Sequence, residues 1–196
     1  MRDFFVRVGK THEDTVSFGN TELYLDNKFN IDFNIRMFGE VLNVPCRANL
    51  DHDVKVGDTL IFHHHVVGNP QQKLDEDMFI VMYEPGDWMS CQAIGYISKE
   101  TGKARGIGPF ILTGPVDNPE ANESVRPSGI VMPGKADATK YLEDRCEILY
   151  SNEDTDELGL NPGDVCRIMK NTDYVIKLPT GEDVYRMRAA DLTLKF

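Results

Sequence analysis

The sequence predicts an all-β protein built from two tandem copies of one small β-barrel. Its apolar runs are short, rich in β-branched and aromatic residues, and separated by Gly, Pro, Asn and Asp, which is typical of the strands of small β-barrels or sandwiches. No segment has a sustained helical period, and similar segments recur at a constant offset along the chain. Together these features favour a repeated β fold over a helical or mixed one.

The repeat is clearest around two Gly-Asp turns. The segments "DVKVGDTLIF" and "LGLNPGDVCRI" contain Gly57 and Gly163, which lie 106 residues apart. Glycine permits the positive φ of a tight turn, the following Asp can bond nearby amides, and the apolar run after it becomes a strand. The same offset relates "FFVRVG" to "FILTGP" and "EDMFIVM" to "EDVYRMR", and one residue of slippage relates "GEVLNV" to "RCEILYS". We therefore expect one barrel in residues 1–97, a linker in 98–108 and a second barrel in 109–196.

Four strand-like runs are predicted in the first copy, each with a partner in the second: Phe4–Val8, Gly39–Val44, Thr59–Val67 and Asp77–Tyr83. The C-terminal "DLTLKF" alternates apolar and polar residues and predicts a last strand. Trp88 is expected to plug the end of the first barrel.

Charge and composition exclude several classes of function. A formal net charge of -11 argues against nucleic acid or an anionic membrane surface as a partner. No apolar run approaches the ~20 residues of a membrane span, and the N-terminus lacks the features of a signal peptide. The four cysteines are scattered without a C-x-x-C pair, which indicates reduced thiols. A cytoplasmic protein is expected.

Three consecutive histidines, His63, His64 and His65, follow the strand-like "TLIF". On a continued strand His63 and His65 would share one face and His64 would lie on the other. They could ligate a metal together with Cys46 or His52, but no recognisable ligand spacing is present, so a polar barrel face or a subunit contact is favoured and no metal is expected. The sequence also lacks the G-x-G-x-x-G, G-x-S-x-G and P-loop motifs, so neither a cofactor nor enzymatic activity is expected; a metal-dependent enzyme built on the histidines is the weakest alternative.

An apolar triplet, Ile130-Val131-Met132, follows Gly129 within a polar loop at 117–139. Its isolation between Gly129 and Pro133 favours a binding segment, and a short edge strand packed in its own barrel is the alternative. The best counterpart in the first copy is Leu23-Tyr24-Leu25, preceded by Glu rather than Gly, so this segment is as consistent with a strand or an interface arm.

The order of these segments resembles the GroES co-chaperonin family over nearly the whole chain, in two tandem copies. The resemblance is carried by "GEVLNV", "DVKVGDTLIF" and "LDEDMFIVM" in the first copy and by "SGIVMP", "NPGDV" and "GEDVYRMRAADL" in the second. It implies two GroES-like barrels, each with a mobile loop whose Gly-apolar motif docks into a hydrophobic groove on the apical domain of a chaperonin. The residues implied as chaperonin-binding are Gly129, Ile130, Val131 and Met132, with Leu23, Tyr24 and Leu25 as a weaker set.

The resemblance further implies a co-chaperonin that caps an ATP-dependent GroEL-like ring, encloses an unfolded client protein and forms a homo-oligomeric ring of three, four or seven chains. The gaps that would hold a roof hairpin are short, which implies an orifice with Glu153, Asp154, Asp156 and Glu157 at its rim. The altered first loop and the missing roof also support a rival, a structural or assembly protein that reuses the tandem fold. A phage-encoded protein of either kind would work in the host cytoplasm.

Overall fold

The computed structural model describes residues 2–12, 15–18, 21–24, 35–46, 52–84, 86–119, 124–125, 131–132, 140–169 and 174–196. Within these residues the chain forms two six-stranded antiparallel sheets, and each is accompanied by a two-stranded hairpin. Helix is confined to single turns, so the all-β prediction is confirmed.

The first sheet has the spatial order β6-β1-β4-β5-β7-β8. Its strands are β1 (Phe4–Arg7), β4 (Phe38–Asn43), β5 (Thr59–Phe62), β6 (Met78–Val81), β7 (Ala93–Ile97) and β8 (Ala104–Gly106), and its hairpin is β2 (Thr15–Phe18) with β3 (Thr21–Tyr24). A helical turn, α1 (His65–Gly68), and a 3₁₀ turn (Pro70–Gln72) connect β5 to β6.

The second sheet has the spatial order β14-β15-β9-β12-β13-β16. Its strands are β9 (Phe110–Asp117), β12 (Tyr141–Tyr150), β13 (Val165–Ile168), β14 (Val175–Lys177), β15 (Asp183–Arg188) and β16 (Leu192–Lys195), and its hairpin is β10 (Ser124–Val125) with β11 (Val131–Met132). A helical turn, α2 (Glu153–Glu157), follows β12, and a 3₁₀ turn (Ala189–Asp191) precedes β16.

Five strands occur in the same spatial order in the two sheets: β6-β1-β4-β5-β7 in one corresponds to β15-β9-β12-β13-β16 in the other. β1 begins at Phe4 and β9 at Phe110, while β5 begins at Thr59 and β13 at Val165, so both pairs keep the offset of 106 residues. The sixth strand differs, because β8 extends one edge of the first sheet and β14 extends the opposite edge of the second. The sequence repeat is therefore also a repeat of strand order.

The two Gly-Asp turns have the backbone that their sequence predicts. Gly57 and Gly163 have φ values of 92° and 94°, in the left-handed region that side chains with a Cβ rarely adopt. In each turn the Asp accepts a 2.8 Å hydrogen bond from the amide three residues before it, Lys55 for Asp58 and Asn161 for Asp164. Local chemistry thus closes both turns in the same way.

The remaining carboxylate contacts differ between the turns. Asp58 accepts a 2.8 Å bond from the backbone amide of Lys99, whereas Asp164 accepts a 2.6 Å bond from the side-chain ammonium of Lys195. A neutral donor therefore completes the first turn and a charged donor completes the second.

The sheets are open, so the prediction of closed barrels was wrong. Residues of the second half pack into the same buried cluster as the apolar residues of the first sheet. One buried cluster joins the halves; it includes Phe4, Leu60 and Phe79 from the first and Phe110, Leu112, Ile176, Leu178 and Val184 from the second. A smaller cluster around Ile111, Ile148 and Met187 lies within the second half.

Part of the predicted linker is structured. Residues 104–106 form β8, which pairs with β7, and Gly106 donates a backbone bond to the carbonyl of Ser151 in the second half. A Cβ on Gly106 would lie 2.0 Å from the carbonyl oxygen of Phe110, so only glycine fits where the two halves meet. The domain boundaries at 97 and 109 stay a prediction.

In the parts of the chain that the structure describes, no helix is both long and apolar enough to cross a membrane.

Candidate functional site

The two hairpins occupy the same place in the two copies. β2 and β3 lie between β1 and β4 in the chain, and β10 and β11 lie between β9 and β12. Neither hairpin belongs to a six-stranded sheet. Each copy therefore carries a separate two-stranded element after its first strand, where the resemblance places the partner-binding loop.

Strand pairing aligns the apolar residues of the hairpins. In the first, Leu23 pairs with Val16 and Tyr24 with Thr15; in the second, Val131 pairs with Val125 and Met132 with Ser124. A valine opposes the first apolar residue, and a residue with a hydroxyl group opposes the second. Leu23 thus takes the position of Val131, and Tyr24 that of Met132, one residue away from the predicted correspondence of Leu23-Tyr24-Leu25 with Ile130-Val131-Met132.

The described apolar side chains of the first hairpin are open to solvent. Leu23 is 50% exposed and Tyr24 is 87% exposed. The two side chains therefore offer apolar area that a partner could bury. Gly129, Ile130 and Leu25 of the predicted binding set lie outside the described residues.

The histidine cluster is the second candidate site, and its structure differs from the prediction. β5 ends at Phe62, and His65 begins α1, so the predicted strand to Val67 was wrong beyond Phe62. The three rings therefore do not alternate between faces. Their centroids lie 4.2–4.6 Å apart, and one ligand atom from each ring lies within 4.8 Å of the others.

Tyr174, from the second half, packs on this cluster. Its ring stacks on His63 with centroids 4.8 Å apart, and its hydroxyl is hydrogen-bonded to His64 Nδ1. The same hydroxyl accepts from the backbone amide of His64 at 3.4 Å and contacts the sulfur of Met37 at 3.5 Å. Burial raises the pKa of Tyr174, so the hydroxyl keeps its proton at neutral pH.

A cavity of about 390 Å³ opens beside the cluster, between the halves. His63 and His65 line it together with Arg186, whose guanidinium lies 5.0 Å from the ring of Phe110 and 4.8 Å from the ring of Tyr174. Burial, the neighbouring histidines and Arg186 lower the pKa of His63 to about 3. His63 is therefore neutral at pH 7.

Trp88 lines the same cavity and does not plug a barrel end. It is 44% exposed, and the guanidinium of Arg188 covers one face of its ring at 4.2 Å from the centroid. The first half thus presents an aromatic side chain to a cation of the second, which is a favourable contact.

The acidic segment predicted at an orifice forms α2. Asn152 and Thr155 make a capping box at its start, and Asp156 forms a 2.5 Å ion pair with Arg105. Acidic residues in a first helical turn are stabilised by the helix dipole, which gives Glu153 and Asp154 a local role.

No protein-family model and no curated protein matches this chain. The resemblance to the GroES family therefore rests on the quoted sequence motifs.

Proposed function

We propose that this protein is a tandem co-chaperonin that caps an ATP-dependent chaperonin ring. The observation that carries the proposal is the matched pair of hairpins, inserted after the first strand of each copy with Leu23 and Tyr24 at the positions of Val131 and Met132. The GroES-like character of the two halves is part of the proposal, and it is supported by the five strands that share one order.

The hairpins have the chemistry that docking into a hydrophobic groove requires. Burying one large apolar side chain contributes roughly 1.5–3 kcal/mol, and ordering of the interface opposes this gain. A single hairpin therefore binds weakly. Several hairpins on one oligomer bind strongly, because each docked hairpin raises the effective concentration of the next at the chaperonin ring.

A homo-oligomeric ring would supply these copies. β16 lies at an edge of the second sheet; Leu194 within it and Phe196 just after it are each 55% exposed. An exposed apolar edge strand is a surface that another chain can cover. Because each chain has two hairpins, a ring of three or four chains would present six or eight, and seven chains would serve a sevenfold partner in layers.

The test is nucleotide-dependent binding to a chaperonin. The purified chain is mixed with a GroEL-type ring in the presence and absence of ATP, and co-elution is followed by size-exclusion chromatography. We expect a complex with nucleotide and none without it, and release of a refolded client from the capped ring. Absence of a complex with every chaperonin offered, or binding that ignores nucleotide, would favour a structural or assembly role for the same fold.

A further inference from the structure

The side chains of His63, His64 and His65 gather where the two halves meet, although a continued strand would have separated them. We propose that they form a binding site for one late first-row divalent metal ion, with zinc as the simplest occupant. Among the described His, Cys, Asp and Glu side chains, these three form a group with a ligand atom from each within 4.8 Å of the others. This proposal does not depend on the co-chaperonin function.

The spacing is close to that of a metal site. Zinc bonds imidazole nitrogen at about 2.0–2.1 Å, so three nitrogens on one tetrahedral ion lie about 3.3 Å apart. Small side-chain rotations would reduce the present separation to this value. His65 is exposed and its helical turn has only four residues, so these rotations do not disturb a packed core.

Tyr174 contacts the nitrogen of His64 that would not bind the metal. Its hydroxyl is hydrogen-bonded to His64 Nδ1, accepts the backbone amide of His64 and contacts the sulfur of Met37. In the tautomer that carries the hydrogen on Nδ1, His64 donates to the Tyr174 hydroxyl and its lone pair is on Nε2. We infer that the metal binds this Nε2. A histidine ligand held by a hydrogen bond from its other nitrogen is the usual arrangement in metal sites.

The lone pair of His63 is on Nδ1, where it accepts the backbone amide of His65 at 3.3 Å. This is a long hydrogen bond at an exposed position, and a metal ion at Nδ1 would replace it. A hydrogen bond from the backbone thus assigns the lone pair of His63.

The donor set selects the class of ion. Three imidazoles without a carboxylate or a thiolate suit Zn²⁺, Cu²⁺ or Ni²⁺, and they do not suit Mg²⁺ or Ca²⁺, which prefer oxygen ligands. Arg186 lines the same cavity and repels a cation. An anion or hydroxide as the fourth ligand would offset that repulsion, and the cavity of about 390 Å³ has room for it.

The experiment uses the full chain, purified without a histidine tag and stripped with chelator. Isothermal titration with ZnCl₂ should show one saturable site per chain, and MgCl₂ should show none. His64→Ala and His65→Ala should each weaken zinc binding at least tenfold. His12→Ala is the matched control and should bind zinc as the wild type does, because His12 lies outside the cluster and bonds Thr11.

The Tyr174→Phe variant tests whether zinc binding depends on the hydroxyl that contacts His64, or only on three neighbouring histidines. It keeps the ring that stacks on His63 and removes the hydroxyl that orients His64, so zinc affinity should fall about 10- to 100-fold. Unchanged affinity in Tyr174→Phe, or equal loss in His12→Ala, would overturn the proposal.

Cobalt(II) keeps the test decisive even if a histidine variant does not fold. The wild-type chain with CoCl₂ should show the visible bands of a four-coordinate ion without a thiolate charge-transfer band. A thiolate band would place the metal on a cysteine, such as Cys91 at the cavity wall, and would contradict the assignment. A weak octahedral spectrum or no spectral change would contradict it as well.

Discussion

The amide of Gly57 donates a 2.8 Å hydrogen bond to the carbonyl of Val41. The amide of Gly163 makes a bond of the same length to the carbonyl of Ile148. The donors differ by 106 positions and the acceptors by 107, which matches the one residue of slippage that the sequence alignment of "GEVLNV" with "RCEILYS" requires. Each turn is thus hydrogen-bonded to the corresponding strand of its own copy, β4 in the first and β12 in the second.

Replacing either turn glycine by alanine should destabilise the protein. Gly57→Ala and Gly163→Ala would each force an L side chain into the left-handed region, at a cost of roughly 1–2 kcal/mol. No atom lies within 4 Å of a Cβ at position 163, so the effect there is backbone strain and not a clash. Urea unfolding measures it. Gly86→Ala is the control, since Gly86 has no positive φ and an open site, and a loss as large in this variant would refute the strain argument.

The shared core predicts one unfolding transition. Leu178 belongs to the second half and is buried in the cluster that includes Phe4 and Leu60 of the first. Leu178→Ala should lower the free energy of unfolding by about 2–5 kcal/mol. In differential scanning calorimetry the single melting transition of both halves should move to a lower temperature. Leu158→Ala, at a position that is 64% exposed, should change it little. Two separate transitions, with only one moved by Leu178→Ala, would show that the halves fold independently.

The second hairpin should carry more of the chaperonin binding than the first. Ile130→Ser with Val131→Ser removes two aliphatic anchors and should abolish binding, with an unchanged circular dichroism spectrum. Leu23→Ser with Leu25→Ser should weaken binding less. In the first copy the charged Glu22 precedes Leu23, whereas in the second copy an apolar residue precedes Val131. Titration against a chaperonin with ATP compares the two variants. Unfolding of the first variant would assign the triplet to the core, and full binding by it would exclude the triplet as the contact.

Stability should depend on pH through Asp164. The hydrogen bond from Lys195, together with that from the amide of Asn161, holds the pKa of Asp164 below its ordinary value. A carboxyl whose pKa is lowered by folding contributes stability above its unfolded pKa, and the contribution is lost as the pH falls through the folded value. Asp164→Asn should therefore lower the melting temperature at pH 7, and the difference from the wild type should shrink on acidification. A difference for Asp164→Asn that stayed constant with pH would contradict the assignment.

One thiol of the four should react rapidly in the native protein. Cys46 is exposed, whereas Cys91, Cys146 and Cys166 are buried. Burial also raises the pKa of Cys146 to about 12, which keeps it protonated and unreactive. Titration with Ellman's reagent should find one fast thiol, lost in Cys46→Ser, and four after denaturation. More than one fast thiol without denaturant would mean that the buried cysteines are accessible.

The sequence predicted those features that depend on local chemistry. The Gly-Asp turns were identified because a positive φ and a short acidic side chain are properties of two adjacent residues. The strands after the turns were identified by the same reasoning, and β5 and β13 begin immediately after the turn aspartates.

The sequence did not predict features that depend on distant contacts. Val66 and Val67 favour a strand by propensity, yet they form α1, because burial of Val66 in the core outweighs a weak preference. The buried cluster shared by the two halves depends on such contacts, and the bond between His64 and Tyr174 joins residues 110 positions apart. No local pattern reports such partners.

The different donors at Asp58 and Asp164 give the two copies different sensitivities to ionic strength. Dissolved salt screens the attraction between the Asp164 carboxylate and the Lys195 ammonium, while the bond from the neutral Lys99 amide to Asp58 is affected much less. Concentrated salt would therefore loosen one Gly-Asp turn before the other. The two copies therefore differ at this position, with a salt-tolerant turn in the first and a salt-responsive turn in the second. Hydrogen exchange at the amides of Lys55 and Asn161 compares them directly.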